Sequence, residues 1–120
     1  MTTLLYGLAN CDTCTKARKW LDRFDIDHVF VDYRDVPQSP ATLVEWKDAL
    51  GGWEAMVNKS STTWRNIAPS RKTPGSDAEW KLLLREYPQL IRRPVVVTDD
   101  GVVTQGFSDN GFKAHFEVGK

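Results

Sequence analysis

The apolar residues near the start of the chain follow two different periods. The mostly apolar residues from Thr3 to Tyr6 predict a short buried strand that ends at Gly7. From Asp12 to about Phe24 the apolar positions instead recur at the spacing of a helix that buries one face. These positions are Cys14, Ala17, Leu21 and Phe24. His28 to Val31 predicts a second strand, and the order of strand, helix and strand is compatible with a parallel pair and a right-handed crossover.

The middle of the chain is predicted to be helical. Ser39 is a typical N-cap for one helix, and Gly51 is a typical residue to end it. Ser76 and Glu79 have the spacing of a capping box at the start of a later helix. The apolar residues of that helix recur at helical spacing, and they are Trp80, Leu83, Leu84 and Tyr87.

The pattern returns to short strands after Pro94. Val95 to Val97 predicts a buried strand, and Asp99 to Gly101 predicts the loop of a hairpin whose second strand runs from Val102 to Thr104. Ser108 is placed to cap a last short helix.

The complete order predicts an α/β protein: β-α-β, a helical block, a β-hairpin and a helix. This is the order of a thioredoxin-like fold, in which a helical insertion at about residues 39–88 separates the two parts of a four-stranded mixed sheet. A length of 120 residues suits one domain, and we expect residues 1–120 to form it.

Composition excludes several classes of function. Sixteen Lys and Arg residues balance 16 Asp and Glu residues, and a net charge of zero argues against direct binding to nucleic acid as the main role. No apolar run approaches the length of a membrane span, and the first residues lack the features of a signal peptide. We therefore expect a cytoplasmic protein without a membrane partner. Paired cysteines in that reducing compartment are more often catalytic or redox-sensing than structural.

The chain has two cysteines, Cys11 and Cys14, and both stand at the predicted turn from strand to helix. The unpaired N–H groups and the positive dipole end of a helix favour a thiolate on Cys11. Cys14 lies on the inward stripe, within reach of Cys11. The arrangement is typical of a thioredoxin-type redox site. Two alternatives remain: small buried hydrophobic residues three apart by chance, and a zinc site, for which His28 and His115 form no paired-ligand motif.

Three motifs carry a resemblance to a known family, and the resemblance covers nearly the whole chain. They are Tyr6-Gly7 followed by Cys11 to Arg18, then Asn58 to Arg65, and Leu90 to Val97. With these motifs the chain resembles the ArsC/Spx family of thioredoxin-like proteins, and most closely its YffB-like branch of small thiol reductases.

This resemblance implies roles in the site for four residues: Cys11, Cys14 and Arg93 are catalytic, and Arg93 and Pro94 bind the substrate. Cys11 would be the nucleophile and Cys14 the resolving cysteine. A proline in the position of Pro94 normally follows a cis peptide bond in thioredoxin-like folds, and it exposes the backbone of Arg93 as a docking edge for a thiol peptide. The Arg93 charge would favour the Cys11 thiolate and bind a carboxylate or oxyanion of the substrate.

Further residues are candidates for substrate binding. Asn10 and Thr13 flank Cys11 and are placed to hydrogen-bond it, although Asn10 would equally serve as a helix cap. Lys16 is placed to hold the thiolate or a glutathione carboxylate, or it is a solvated helix lysine. Trp64 and Arg65 either line the cleft or are a core tryptophan beside a surface arginine.

The same resemblance predicts poor arsenate reduction. The glutaredoxin-dependent arsenate reductases of this family hold the oxyanion with three arginines, and the positions of these arginines fall at Asn58, Arg93 and Gly106 in this chain. Only Arg93 keeps the guanidinium group. Those enzymes also do not need a second cysteine at the position of Cys14.

We therefore predict a thiol–disulfide oxidoreductase that uses glutathione or a thiol–disulfide partner protein and needs no metal or organic cofactor. The alternative is a redox-switched regulator of the Spx kind, in which a disulfide between Cys11 and Cys14 alters a surface that RNA polymerase reads. The sequence leaves the physiological substrate and the electron donor open.

Overall fold

The computed structural model describes residues 2–116, and these residues form two compact units. One unit joins the residues up to Asp32 with those from Arg93 onward, and the other is Tyr33–Arg92. The second unit is wider than the predicted insertion at about residues 39–88, and the expectation of a single domain over residues 1–120 stays a prediction.

The regular elements follow the predicted order. They are β1 (Thr3–Gly7), α1 (Asp12–Arg23), β2 (His28–Asp32), α2 (Pro40–Leu50), α3 (Trp53–Met56), α4 (Thr62–Asn66), α5 (Asp77–Glu86), β3 (Val95–Val97), β4 (Val103–Gln105) and α6 (Asp109–His115). Short 3₁₀ turns cover Pro69–Arg71 and Pro88–Leu90. Across residues 2–116, no helix combines the length and the apolar character that crossing a membrane requires.

The first unit is built on a four-stranded mixed sheet with the strand order β2-β1-β3-β4. The central strand β1 pairs in parallel with β2 and antiparallel with β3, and β3 pairs antiparallel with β4. The β3–β4 hairpin turns at Gly101, whose φ of 87° is a conformation that favours glycine. This mixed sheet with its helices confirms the predicted α/β, thioredoxin-like fold.

Helix α1 covers the sheet with the apolar face that its sequence period predicts. One cluster of buried side chains forms the core of this unit: Leu5, Ala17, Trp20, Leu21, Val96 and Phe112. Burying a large apolar side chain of this kind stabilises the fold by about 1.5–3 kcal/mol. Trp20 also contributes a polar contact, because its indole N–H donates to the Asp109 carboxylate at 2.7 Å and so links α1 to α6.

The ends of the helices follow from local side-chain bonds. Ser39 caps α2 through its side chain, and Gly51 ends that helix with a φ of 94°. At α5, the Ser76 hydroxyl accepts from the Glu79 N–H at 3.3 Å. The Glu79 carboxylate accepts from the Gly75 N–H at 2.7 Å, so the predicted capping box closes one residue earlier than expected.

The second unit packs its helices around aromatic residues. The rings of Trp53 and Trp80 are stacked with their centroids 6.2 Å apart, and the Trp53 indole N–H donates to Asp77 at 2.8 Å. Tyr33 is buried, and its hydroxyl donates to the Ile91 carbonyl at 3.2 Å. These buried polar atoms therefore have the partners that burial requires.

Candidate active site

The turn between β1 and α1 carries both cysteines. The Cys11 N–H donates to the Leu8 carbonyl at 3.2 Å, and the Cys11 carbonyl accepts the first bond of α1 from the Thr15 N–H at 3.0 Å. Cys11 itself has extended backbone angles, with φ −100° and ψ 123°, and is the N-cap residue. The helix begins at Asp12 as predicted, but its N-cap is Cys11 and not Asn10.

Cys11 is partly exposed and carries the more acidic thiol of the pair. Its partial burial by itself raises the pKa of the thiol. Hydrogen bonds from the Cys14 backbone, the Arg93 side chain and the Cys14 side chain, together with the Arg93 charge, outweigh burial and lower the Cys11 pKa below its ordinary value. The Cys14 N–H is one of the unpaired donors of the first turn, so α1 itself supports the thiolate.

Cys14 is 1% exposed, and its thiol is shifted in the opposite direction. Burial, with the negative charge and hydrogen bond of Cys11, raises the pKa of the Cys14 thiol to about 11, although a hydrogen bond from the Leu8 backbone and the Arg93 charge oppose this rise. At neutral pH Cys14 is therefore a protonated thiol beside a more acidic neighbour. An attacking and a resolving cysteine differ in this way.

Arg93 and Pro94 enter the site from the start of β3. The peptide bond between them is cis, as the resemblance predicts. The antiparallel register pairs Tyr6 with Val95, and one further step along it brings Pro94 opposite Gly7, where β1 leads into the cysteine turn. The pairing of β1 with β3 therefore places the Arg93 side chain beside the Cys11 thiol, although the two residues are far apart in sequence.

The other candidate substrate-binding residues lie at the surface. Asn10 and Thr13 are exposed on either side of Cys11. Lys16 is also exposed and lies in the second turn of α1. There it borders a groove of about 460 Å³ that is lined by Lys16, Lys19, Trp20, Arg23, Phe107 and Asp109. The structure thus groups Cys11 and Cys14 with the Arg93–Pro94 pair and places Lys16 at a neighbouring basic groove.

Three residues that the motifs single out belong to the second unit. The Asn58 side-chain carbonyl accepts from the Ser60 N–H at 3.0 Å and orders its own loop. Trp64 is buried, and Arg65 is exposed with its guanidinium donating to the Thr62 hydroxyl at 3.2 Å. The last two fit the alternative of a core tryptophan beside a surface arginine.

The sequence patterns did not indicate Gly7 as a residue of the site, because they marked it only as the end of a strand and as part of a family motif. The Cys14 sulfur lies directly against position 7. The available signal was a glycine between a buried strand and a cysteine pair, since glycine often marks a close approach of other groups to the backbone. Within residues 2–116, no group of three or more His, Cys, Asp or Glu side chains is arranged to hold a metal ion.

Comparison with known proteins supports a relationship over almost the whole chain. Residues 6–115 match the model of the ArsC family. An uncharacterized protein of Haemophilus influenzae (strain Rd) is 38% identical over 112 residues, which are 93% of this chain and 96% of that protein. The global transcriptional regulator Spx of Bacillus subtilis (strain 168) is 26% identical over 110 residues, which are 88% of this chain and 80% of the regulator.

Solved structures are also similar to this chain. A YffB protein is 32% identical and superposes with a TM-score of 0.82, covering 94% of this chain and 97% of its own. An arsenate reductase related protein from Brucella melitensis is 32% identical with a TM-score of 0.75, covering 98% of this chain and 96% of its own.

Proposed function

Because the chain belongs to the ArsC family, as the match over residues 6–115 shows, we propose that it is a thiol–disulfide oxidoreductase with Cys11 as the nucleophile and Cys14 as the resolving cysteine. One observation carries the proposal. Two adjacent thiols are shifted in opposite directions, with the Cys11 pKa lowered and the Cys14 pKa raised to about 11. The more exposed Cys11 thiol is therefore the one that attacks the substrate, and the buried Cys14 thiol stays protonated until the second step.

The first step is a thiol–disulfide exchange at Cys11. The Cys11 thiolate attacks one sulfur of a substrate disulfide, and the bond between the two substrate sulfurs breaks. A mixed disulfide forms on Cys11, while the other half of the substrate leaves as a thiolate and takes a proton from water. The Arg93 guanidinium beside Cys11 stabilises the attacking thiolate and is available to a carboxylate of the substrate.

In the second step Cys14 attacks Cys11, and the loss of the negative charge on Cys11 in the first step makes Cys14 easier to ionise. Part of the rise in the Cys14 pKa comes from the negative charge on Cys11, and that charge disappears when the mixed disulfide forms. The Cys14 thiol then becomes easier to ionise under the Arg93 charge, and its sulfur attacks the Cys11 sulfur. The second half of the substrate leaves with the Cys14 proton, and an internal disulfide remains, so two electrons have passed to the substrate.

We propose glutathione as the donor that restores the reduced pair. One glutathione opens the internal disulfide to a mixed disulfide, and a second releases oxidised glutathione and the dithiol. The carboxylates of glutathione have a partner in Arg93, and the basic groove beside Lys16 offers further positive charge. Turnover of a glutathionylated substrate should be supported by glutathione; turnover with thioredoxin but not with glutathione would contradict this choice of donor.

Cys14→Ser tests the division of roles. After treatment with glutathione disulfide, mass spectrometry should find one glutathione on the variant, because Cys11 reacts but nothing resolves the adduct. The wild type should instead carry an internal disulfide without an adduct. Cys11→Ser is the matched control and should acquire little glutathione at neutral pH. The same product in the wild type and in Cys14→Ser would remove Cys14 from the mechanism.

A second candidate function is a redox-switched regulator, and the 26% identity to Spx over 110 residues favours it. In this function the Cys11–Cys14 disulfide would change a surface that binds RNA polymerase, without turnover. A pull-down with RNA polymerase under reducing and oxidising conditions distinguishes the two. Redox-dependent capture without catalysed thiol exchange would replace the reductase by the regulator.

A further inference from the structure

Gly7, the last residue of β1, lies against the Cys14 sulfur, which occupies the space that a side chain at position 7 would need. A β-carbon built on Gly7 would lie far inside the contact distance of the Cys14 sulfur. It would meet the Cys14 β-carbon at 3.5 Å and a Phe30 ring carbon at 3.6 Å, which are ordinary contacts. The conflict is therefore with the sulfur alone. Gly7 is not among the glycines with positive φ, so space and not backbone conformation calls for glycine here.

The backbone next to Gly7 also contacts this sulfur. The Leu8 backbone, next to Gly7, provides a hydrogen bond to the Cys14 thiol. The Phe30 ring lies on another side of position 7, and the Arg18 guanidinium lies over that ring at 4.4 Å from its centroid. The Cys14 sulfur thus has one polar contact and lies against a position that only glycine leaves open.

We propose that Gly7 is a positioning residue for the Cys14 thiol: the missing side chain lets the sulfur sit where it reaches Cys11. The proposal rests on the proposed function in one respect, namely that Cys14 closes the internal disulfide. Any larger residue at position 7 pushes the sulfur aside, either by rotating the Cys14 side chain or by moving α1 away from β1. Both movements misalign the Cys14 sulfur with the disulfide on Cys11.

Gly7→Ala tests the catalytic consequence. The glutathione adduct is formed on Cys11, and the rate of closure to the internal disulfide is followed by quenching and mass spectrometry. Closure should slow by about tenfold or more, because displacing a reacting atom by about an ångström has effects of this size or larger. Alkylation of Cys11 should also require a higher pH, since Cys11 loses the hydrogen bond from the Cys14 side chain. Unchanged or faster closure would overturn the proposal.

A second comparison shows whether the sulfur itself is the group that position 7 accommodates. In the wild-type background, Gly7→Ala should lower the midpoint of thermal unfolding. In a Cys14→Ala background the sulfur is gone and the remaining contacts are ordinary, so Gly7→Ala should leave the midpoint unchanged or raise it. A rise is expected because alanine restricts the unfolded chain more than glycine does. An equal loss of stability in both backgrounds would overturn the proposal.

Gly75→Ala is the matched control, because a β-carbon there meets only the Glu79 carboxylate at 3.9 Å. The closure rate and the thermal comparison also distinguish a failure of this inference from a failure of the proposed function. If Cys14→Ser shows that Cys14 resolves nothing, the proposed function fails, while the thermal comparison still measures the fit between Gly7 and the Cys14 sulfur. If Gly7→Ala alone does not fold, recovery of folding by added Cys14→Ala supports the proposal, and failure to recover overturns it.

Discussion

At the scale of single residues, the site depends on two identical side chains in different surroundings. Cys11 occupies the N-cap of α1 beside a guanidinium group, whereas Cys14 is buried one turn further on. Burial penalises a charged thiolate, and a nearby positive charge and N–H donors favour it. In the proposed function, this difference sets the order of the two chemical steps.

Cys11 should be alkylated first. With iodoacetamide near neutral pH, mass spectrometry should find the label on Cys11, because its pKa is lowered while that of Cys14 is raised to about 11. As the pH rises toward the Cys14 pKa, the second label should appear. Cys11→Ser should label slowly at neutral pH and serves as the control. Labelling of Cys14 before Cys11 would reverse the assignment of roles.

Arg93→Ala should raise the pKa of the Cys11 thiol. The variant removes both a hydrogen bond to the thiolate and a positive charge beside it, so Cys11 alkylation should shift to higher pH. Glutathione binding should weaken with little change in the unfolding midpoint. Arg92→Ala removes the neighbouring arginine, whose Nε donates to the Val57 carbonyl, and is the matched control. An unaltered pH profile in Arg93→Ala would exclude Arg93 from the site.

At the scale of secondary-structure elements, α1 and α6 of the first unit are joined by a hydrogen bond as well as by the apolar core. The Trp20 indole of α1 donates to Asp109, the first residue of α6, and Lys113 pairs with the same carboxylate at 3.1 Å. The carboxylate also lies in the first turn of α6, where the helix dipole favours a negative charge. This one side chain therefore joins α6 to α1, which carries Cys14 and begins directly after Cys11.

Asp109→Asn should change how stability depends on acid. Hydrogen bonds from Trp20 and Lys113, and the charges of Lys113 and Arg23, lower the Asp109 pKa below its ordinary value of 3.8. A carboxyl group with a lowered folded-state pKa contributes stability above its unfolded pKa, and this contribution is lost as the pH falls through the folded pKa. Asp109→Asn should lack that acid-dependent component.

Urea unfolding between neutral pH and about pH 2 measures this difference. The stabilities of the wild type and Asp109→Asn should converge as the pH falls below 3.8. Asp99→Asn, which removes an exposed carboxylate from the hairpin loop, is the control. A constant difference between the wild type and Asp109→Asn across this range would show that the charge of Asp109 does not stabilise the fold.

At the scale of the whole molecule, family membership does not decide which substrate the site accepts. Gly106 stands at a position where the arsenate reductases of the resemblance carry an arginine. Its φ of 86° lies in the left-handed region, and its N–H donates to the Pro94 carbonyl at 2.8 Å. An arginine would be strained there. The local backbone thus favours the glycine that this chain has.

Arsenate should therefore be a poor substrate. Each missing charge-assisted contact, at Asn58 and at Gly106, costs about 1.5–3 kcal/mol of oxyanion stabilisation. Two independent losses correspond to a rate lower by about a hundredfold or more. A glutaredoxin-coupled assay beside a three-arginine reductase measures this, with Cys11→Ser as the blank. Comparable turnover by the two proteins would contradict the prediction.

The sequence by itself determined those features that depend on interactions between residues close together in the chain. The helix that follows Cys11, the cap at Ser39, the end at Gly51 and the switch to strands after Pro94 all depend on residues a few positions apart. Hydrophobic period, side-chain capping and glycine conformation act over that range, so they can be read along the chain. The order of the elements then sufficed for the fold class, and the Cys-x-x-Cys spacing sufficed for the candidate chemistry.

Only the tertiary structure decided which distant groups meet. Pairing of β1 with β3 brings Arg93 to Cys11, a contact that the family resemblance implied but no local pattern did, and packing of α1 on the sheet places the Cys14 sulfur against Gly7. Lys16 borders a groove with Lys19 and Arg23, and its part in substrate binding stays a prediction. Strand register and side-chain packing are set by contacts between residues far apart in sequence, and no local period records them. The sequence therefore determined that a cysteine pair begins a helix, and the fold decided what surrounds each sulfur.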